Sequence, residues 1–147
     1  MSAVDLTLMS WDVCEKCFIK RVERDEWRFD TIVSMAKLRL KKIERYRINE
    51  EVSFIVEDYY EVIKELLVAY LLKDGFRSKN HQCLISYFSK KNPEREREVQ
   101  IILQMSYFRN RLGYYGEGIP LKFYKINKEE FKKIIDLILE LLEVNDE

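Results

Sequence analysis

The sequence predicts an all-α protein, an antiparallel bundle of four to five helices. Its 147 residues, of which 47% are hydrophobic, suffice for one domain with a core of its own. Only four glycines and two prolines interrupt the chain, and apolar residues recur at steps of three and four, the helical period. We therefore expect one domain, in which a short helix and loop over residues 1–24 pack on a bundle formed by residues 25–147.

The first half of the chain begins with a short helix over residues 11–17 and an irregular basic stretch over 18–24. Asp25 is a good N-cap for a long helix that extends to about Tyr46. Asn49 is the expected cap of a second long helix, from about residue 50 to Lys73. Asp74-Gly75 then provides a left-handed stop.

The second half continues with a shorter helix over residues 79–89 and a break at Asn92-Pro93. A further helix is predicted over residues 94–112. The glycines that follow indicate a loop over 113–126, with a short extended piece at 121–123. Asn127 and Glu130 have capping-box spacing, which predicts that the last helix begins there.

The overall charge does not by itself exclude any class of function. The 26 basic and 26 acidic side chains cancel, so any nucleic-acid surface has to be a local basic patch. No apolar run reaches the roughly 18 residues of a membrane span, and the start of the chain lacks the pattern of a signal peptide. We expect a cytoplasmic protein without a membrane partner.

Three cysteines are expected to remain thiols in a reducing cytosol. Cys14 and Cys17 form a CxxC pattern, but tetrahedral zinc takes four ligands. The remaining candidates, Cys83 and His81, belong to a separate predicted element. The pattern therefore favours a structural role for these cysteines, with no metal and no cofactor.

Two stretches resemble the HEPN family, small helical bundles of prokaryotic toxin–antitoxin and defence systems. The first is Tyr60-Glu61-Val62-Ile63-Lys64-Glu65-Leu66-Leu67, followed by Asp74-Gly75 and by Asn80-His81. The second is Arg109-Asn110-Arg111-Leu112-Gly113-Tyr114-Tyr115-Gly116, which is similar to the family's signature of an Arg with a His five residues later. The resemblance covers about residues 25–143.

The resemblance implies a homodimer and a minimal nucleotidyltransferase as partner. Ribonucleases of the family pair Arg and His across a dimer without metal, whereas Tyr114 stands at the His position here. Tyrosine has a pKa of about 10, too high for a base at neutral pH, so cleavage is expected to be weak or absent. His81 is expected to cap its helix or to form a hydrogen bond near the start of that helix, and it lies too far along the sequence to replace the missing histidine. Tyr114 and Tyr115 are candidates for adenylylation.

The chemistry of the second stretch indicates a binding site. A guanidinium fork suits phosphate, and tyrosine rings suit nucleobases. The primary hypothesis is an RNA- or nucleotide-binding, toxin–antitoxin-type protein. One alternative is an active metal-independent ribonuclease toxin that uses Arg109 with Tyr114. A second alternative is a helical protein-interaction adaptor. The candidate binding residues are Arg109, Asn110, Arg111, Tyr114, Tyr115, Glu61 and Lys64.

Overall fold

A computed structural model describes residues 6–143 of the chain. Within that range it contains six α-helices, one 3₁₀ turn at Pro93–Arg95 and one two-stranded sheet, which confirms the all-α prediction. The elements in chain order are α1 (Trp11–Cys17), β1 (Ile19–Arg21), α2 (Glu26–Ile43), α3 (Ile48–Lys73), β2 (Phe76–Ser78), α4 (His81–Lys91), α5 (Glu96–Tyr115) and α6 (Leu121–Glu143).

The central element is α3, which packs against α2, α4, α5 and α6. Half of its residues are buried, on several sides of the helix, because neighbours surround it. Helices α2, α4, α5 and α6 are amphipathic, and each turns its apolar face toward α3. The largest fully buried side chains include Tyr60, Ile63, Leu67, Phe88, Ile102, Met105 and Phe131. No helix within residues 6–143 combines the length and apolarity that a membrane crossing requires.

The N-terminal segment is attached to the bundle at two places. Strand β1 pairs antiparallel with β2, with Lys20 opposite Arg77, so part of the stretch expected to be irregular is a strand. A disulfide joins Cys14 of α1 to Cys83 of α4, and Cys17 is an exposed free thiol. The expectation that all three cysteines are thiols is therefore wrong. Folding brings two distant cysteines to a Cα separation of 5.5 Å, within bonding range.

The start of α2 is as predicted, because the Asp25 carboxylate accepts a hydrogen bond from the Arg28 N–H at 2.9 Å. The predicted Asn49 cap of α3 is wrong. The helix begins at Ile48, and the Glu51 carboxylate reaches back to accept from the backbone N–H of Arg47 at 2.9 Å. A carboxylate thus occupies the positive end of the helix dipole, where the sequence suggested an amide side chain.

The boundaries of the last two helices also differ from the prediction. Helix α5 continues through Gly113 and ends at Gly116, whose φ of 65° suits glycine. Helix α6 begins at Leu121, directly after Pro120, so the expected extended piece at 121–123 and the cap at Asn127 are wrong. The Asn127 amide instead donates to the backbone oxygen of Phe123 inside the helix. Burial of Phe123 and Tyr124 draws this turn into α6.

Candidate functional site

An ionic cluster lies beside the middle of α3, and the surface that its partly buried side chains form is called the groove here. Glu61 lies between two cations: its Oε1 is 3.1 Å from Nη2 of Arg109, and its Oε2 is 2.7 Å from Nζ of Lys64. Lys64 comes from the next turn of the same helix, whereas Arg109 comes from α5. All three side chains are partly buried, with at most about a third of each exposed. The fold thus brings together the two stretches of sequence that resemble the HEPN family.

A second ion pair extends this cluster toward α2. Nη2 of Arg39 lies 3.1 Å from Oε1 of Glu65, one turn beyond Glu61. Arg39 also contributes to the electrostatic field at Glu61. With Arg109 and Lys64 the groove holds three cations and two carboxylates, a formal surplus of one positive charge.

Tyr60 separates the ionic cluster from the start of α4. The guanidinium carbon of Arg109 lies 5.8 Å from the centre of the Tyr60 ring, within cation–π range. The ring of His81 lies on the same tyrosine, with centroids 6.5 Å apart. His81 is the first residue of α4, and the cap is its neighbour Asn80, whose side chain accepts from the Gln82 N–H at 2.9 Å. Of the two roles expected for His81, capping is therefore excluded, because Asn80 is the cap of α4.

His81 lies close enough to the cluster to feel its charges. Burial lowers the pKa of this imidazole, the positive charges of Lys64 and Arg109 lower it further, and Glu61 opposes them. The imidazole is therefore neutral at pH 7 and able to accept a proton. His81, although about one helix away from Tyr114 in sequence, therefore contacts the same residue of α3 as Arg109 does, namely Tyr60.

Glu61 remains ionised in the same surroundings. Burial opposes its ionisation, but the hydrogen bond from Lys64 and the charges of Lys64, Arg109 and Arg39 outweigh it and lower its pKa. Burial raises the pKa of the Tyr60 hydroxyl, against a hydrogen bond with Ser106 and the charge of Arg109. At neutral pH the carboxylate of Glu61 is thus charged, whereas the phenol of Tyr60 and the imidazole of His81 are neutral.

The two ion pairs leave polar atoms without hydrogen bonds. In the described part of the chain, four buried side-chain nitrogen and oxygen atoms have no aligned partner, and all four belong to this cluster. They are Nε of Arg109, Nε of Arg39, Oε1 of Glu61 and Oε2 of Glu65. Buried polar groups are normally satisfied. Two of these atoms are guanidinium N–H donors and two are carboxylate acceptors, so hydrogen bonding in this cluster is incomplete on both sides.

Tyr114 does not join this cluster. Because α5 is unbroken to Tyr115, five residues of helix place Tyr114 about 140° around the axis from Arg109. Its side chain is 82% exposed. The remaining predicted residues of this stretch also lie away from Arg109, and Asn110 is exposed without a described side-chain contact. The structure thus divides the predicted site between two sides of one helix.

The second surface is a stack of aromatic rings around a guanidinium. The guanidinium carbon of Arg111 lies 4.9 Å from the Tyr115 ring and 5.7 Å from the Tyr107 ring. Glu117 holds Arg111 with two hydrogen bonds of 2.6 Å, to Nε and Nη2. Tyr115 remains 69% exposed, beside the more exposed Tyr114. The end of α5 therefore presents two accessible aromatic rings.

Within residues 6–143 no group of three or more His, Cys, Asp and Glu side chains could hold a metal ion. No family model, curated protein or solved structure matches this chain. Its function therefore has to be argued from the geometry of the two surfaces on α5.

Proposed function

We propose that this protein binds single-stranded RNA and is a HEPN-like, toxin–antitoxin-type protein. The observation that carries the proposal is the convergence of Arg109 and Lys64 beside the unpaired guanidinium N–H, with exposed tyrosines on the same helix. The cations of the groove suit a phosphate, and the rings suit nucleobases.

A strand fits these two surfaces better than a mononucleotide does. Arg109 and Tyr114 lie on different sides of a helix that is roughly 10–12 Å across with its side chains. One nucleotide cannot place its phosphate at Arg109 and its base on Tyr114 without reaching across the width of the helix. Successive nucleotides of one strand can pass around the end of α5 and occupy both surfaces. RNA is therefore favoured over the nucleotide alternative.

Fluorescence anisotropy with a short labelled, unstructured RNA at several salt concentrations tests this proposal. Arg109→Ala should weaken binding and reduce the slope of log affinity against log salt by about 0.7, the value for one phosphate contact on a single strand. Arg45→Ala is a matched control, because Arg45 is an exposed arginine in the turn between α2 and α3. Equal affinities and slopes for wild type and Arg109→Ala would refute the proposal.

A second candidate function is metal-independent RNA cleavage, favoured by the contact of both His81 and Arg109 with the Tyr60 ring. Neutral His81 would accept the proton of a ribose 2′-hydroxyl, whose oxygen attacks the adjacent phosphorus. The bond to the 5′-oxygen breaks, and this oxygen takes a proton from water. The products are a 2′,3′-cyclic phosphate and a 5′-hydroxyl. Arg109 and Lys64 would stabilise the charge that develops on the phosphate oxygens.

The cleavage candidate is tested separately from binding. RNA is incubated with the protein in EDTA, and 2′-O-methyl RNA of the same sequence serves for the binding measurement. Loss of cleavage in His81→Gln with unchanged binding of the methylated strand would support it. A wild type that binds the methylated strand and leaves RNA intact would eliminate cleavage and leave the binding proposal in place.

A further inference from the structure

A cavity of about 450 Å³ lies between α2, α3 and α6. Its volume falls within the range of roughly 300–1,000 Å³ that is usual for small-molecule sites in proteins. No residue of α5 or of the ionic cluster lines this cavity, so it is separate from the two surfaces described above. The aliphatic part of its wall comes from Leu40, Ile43, Ile48, Ile55 and Ile135.

Two almost fully buried tyrosines also line the cavity. Tyr59 of α3 is 5% exposed and Tyr124 of α6 is 8% exposed. Both rings pack against Phe131, at centroid distances of 5.5 Å and 6.5 Å. Within residues 6–143 neither hydroxyl forms a hydrogen bond with a protein group, and neither is sealed inside the core. Because buried hydroxyls are normally paired, these two groups are available to a molecule in the cavity.

Both hydroxyls keep their protons at neutral pH. Burial and the neighbouring Tyr124 raise the pKa of Tyr59 to about 12, and burial also raises the pKa of Tyr124. The influence of one phenol on the other indicates that the two hydroxyls are close together. Each can donate a hydrogen bond, and one carbonyl oxygen, with two lone pairs, can accept from both.

The charged residues of the wall are exposed to solvent. They are Glu44, Lys132 and Asp136, which together carry a formal surplus of one negative charge. This surplus disfavours an anionic ligand such as a fatty acid. A cation would gain little from carboxylates that remain hydrated. The apolar wall and the two neutral donors therefore suit an uncharged ligand best.

We propose that this cavity binds a neutral, apolar small molecule with a carbonyl group, whose oxygen accepts hydrogen bonds from Tyr59 and Tyr124. The aliphatic side chains cover the body of the ligand, and burial of that apolar surface contributes most of the affinity. The two hydroxyls orient the ligand by its oxygen. This site is additional to the proposed RNA binding and does not depend on it.

Prodan, 6-propionyl-2-dimethylaminonaphthalene, is a suitable probe. It is a neutral aryl ketone whose emission moves to the blue in apolar surroundings and to the red when its carbonyl accepts hydrogen bonds. Titration of the protein into a fixed, low concentration of Prodan should show saturable binding. We expect a dissociation constant on the order of 100 µM, as for a small ligand of ordinary efficiency.

Removal of the hydroxyls tests their role as donors. Tyr59→Phe and Tyr124→Phe should each weaken Prodan binding about fivefold, the equivalent of one net hydrogen bond. The emission of the bound probe should move further to the blue in each variant. The compound 2-dimethylaminonaphthalene, which lacks the carbonyl, should bind the wild type and both variants equally. Tyr107→Phe removes a phenol hydroxyl on α5, outside the cavity, and should leave Prodan binding unchanged.

Thermal melts distinguish a binding role from a structural one. Because neither hydroxyl has a hydrogen bond to lose, Tyr59→Phe and Tyr124→Phe should melt at or above the temperature of the wild type. A lower melting temperature would show that the hydroxyl has a structural partner, and this would overturn its assignment to a ligand.

The remaining outcomes also decide against the proposal. Absence of saturable Prodan binding at millimolar protein overturns it. Equal losses of affinity for Prodan and for 2-dimethylaminonaphthalene would show that the tyrosines shape the cavity without donating to a ligand. Displacement of Prodan by benzyltrimethylammonium at an equal concentration would make this a cation site. Arg109 does not line the cavity, so RNA binding is judged separately from anisotropy.

Discussion

Glu61→Gln should have opposite effects on stability and on RNA binding. The carboxylate of Glu61 lies 3.1 Å from Arg109 and 2.7 Å from Lys64, so the substitution leaves two cations facing each other. At an effective dielectric of about 20, one such contact amounts to roughly 5 kcal/mol of attraction. Restored hydration cancels much of it, because these side chains are only partly buried. We expect a net loss of about 1–3 kcal/mol, between the values for exposed and for buried pairs.

The same substitution removes a negative charge that repels phosphate. At about 6 Å in a solvated groove, one unit charge contributes roughly 0.7 kcal/mol, which corresponds to about a threefold gain in RNA affinity. Thermal melts should show a drop of about 3–10 °C, and anisotropy should show tighter binding. Glu140→Gln, at an exposed position on α6, is the control for charge alone. A variant that binds more weakly than wild type would refute the reasoning and make Glu61 a group that orients Arg109.

Three further predictions concern His81, the disulfide and the exposed tyrosine. Burial and the charge of Lys64 lower the pKa of His81 below its ordinary value of 6.5. As the pH falls through 6.5, His81 therefore takes up a proton in the unfolded chain before it does so in the folded protein. The free energy of unfolding should fall with the pH in this range. His81→Gln should flatten that part of a plot of melting temperature against pH, and an unchanged slope would contradict the shift. Replacing both Cys14 and Cys83 by Ser should lower the free energy of unfolding in urea by about 4 kcal/mol, because the disulfide closes a loop of 69 residues. Cys17→Ser is the control. Equal unfolding midpoints for the double variant and the wild type would argue against the disulfide. Tyr114→Ala should weaken RNA binding about tenfold while Tyr114→Phe retains it, because stacking uses the ring; equal losses in anisotropy would implicate the hydroxyl.

Caps and apolar spacing predicted those parts of the fold that depend on residues close together in the sequence. Asp25 caps α2 because its side chain reaches the first free N–H groups, which lie a few residues away. The inward face of α3 follows from apolar spacing. The pairing of Glu61 with Arg109 did not follow from periodicity, which does not show which helices become neighbours.

Prediction failed where distant packing outweighed local signals. Asn127 and Glu130 have the spacing of a capping box, yet burial of Phe123 and Tyr124 extends α6 past them. Glu130 instead pairs with Arg97 of α5 at 3.1 Å. The spacing of these two aromatic residues with Phe131 is helical, a signal that could have placed the start of α6 earlier.

The position of Tyr114 on a continuous helix leads to a last prediction, that Tyr114→His adds no RNA cleavage. The family resemblance suggested that a histidine here would complete a site with Arg109. On α5, however, position 114 is about 140° from Arg109 and faces solvent, so an imidazole there cannot reach a phosphate held by Arg109 of the same chain. His81 contacts the same Tyr60 ring as Arg109 does, so it is better placed than position 114 to act as a base. RNA in EDTA with wild type, Tyr114→His and His81→Gln checks this. Cleavage gained by Tyr114→His would mean that a second copy brings position 114 onto Arg109 across a dimer interface.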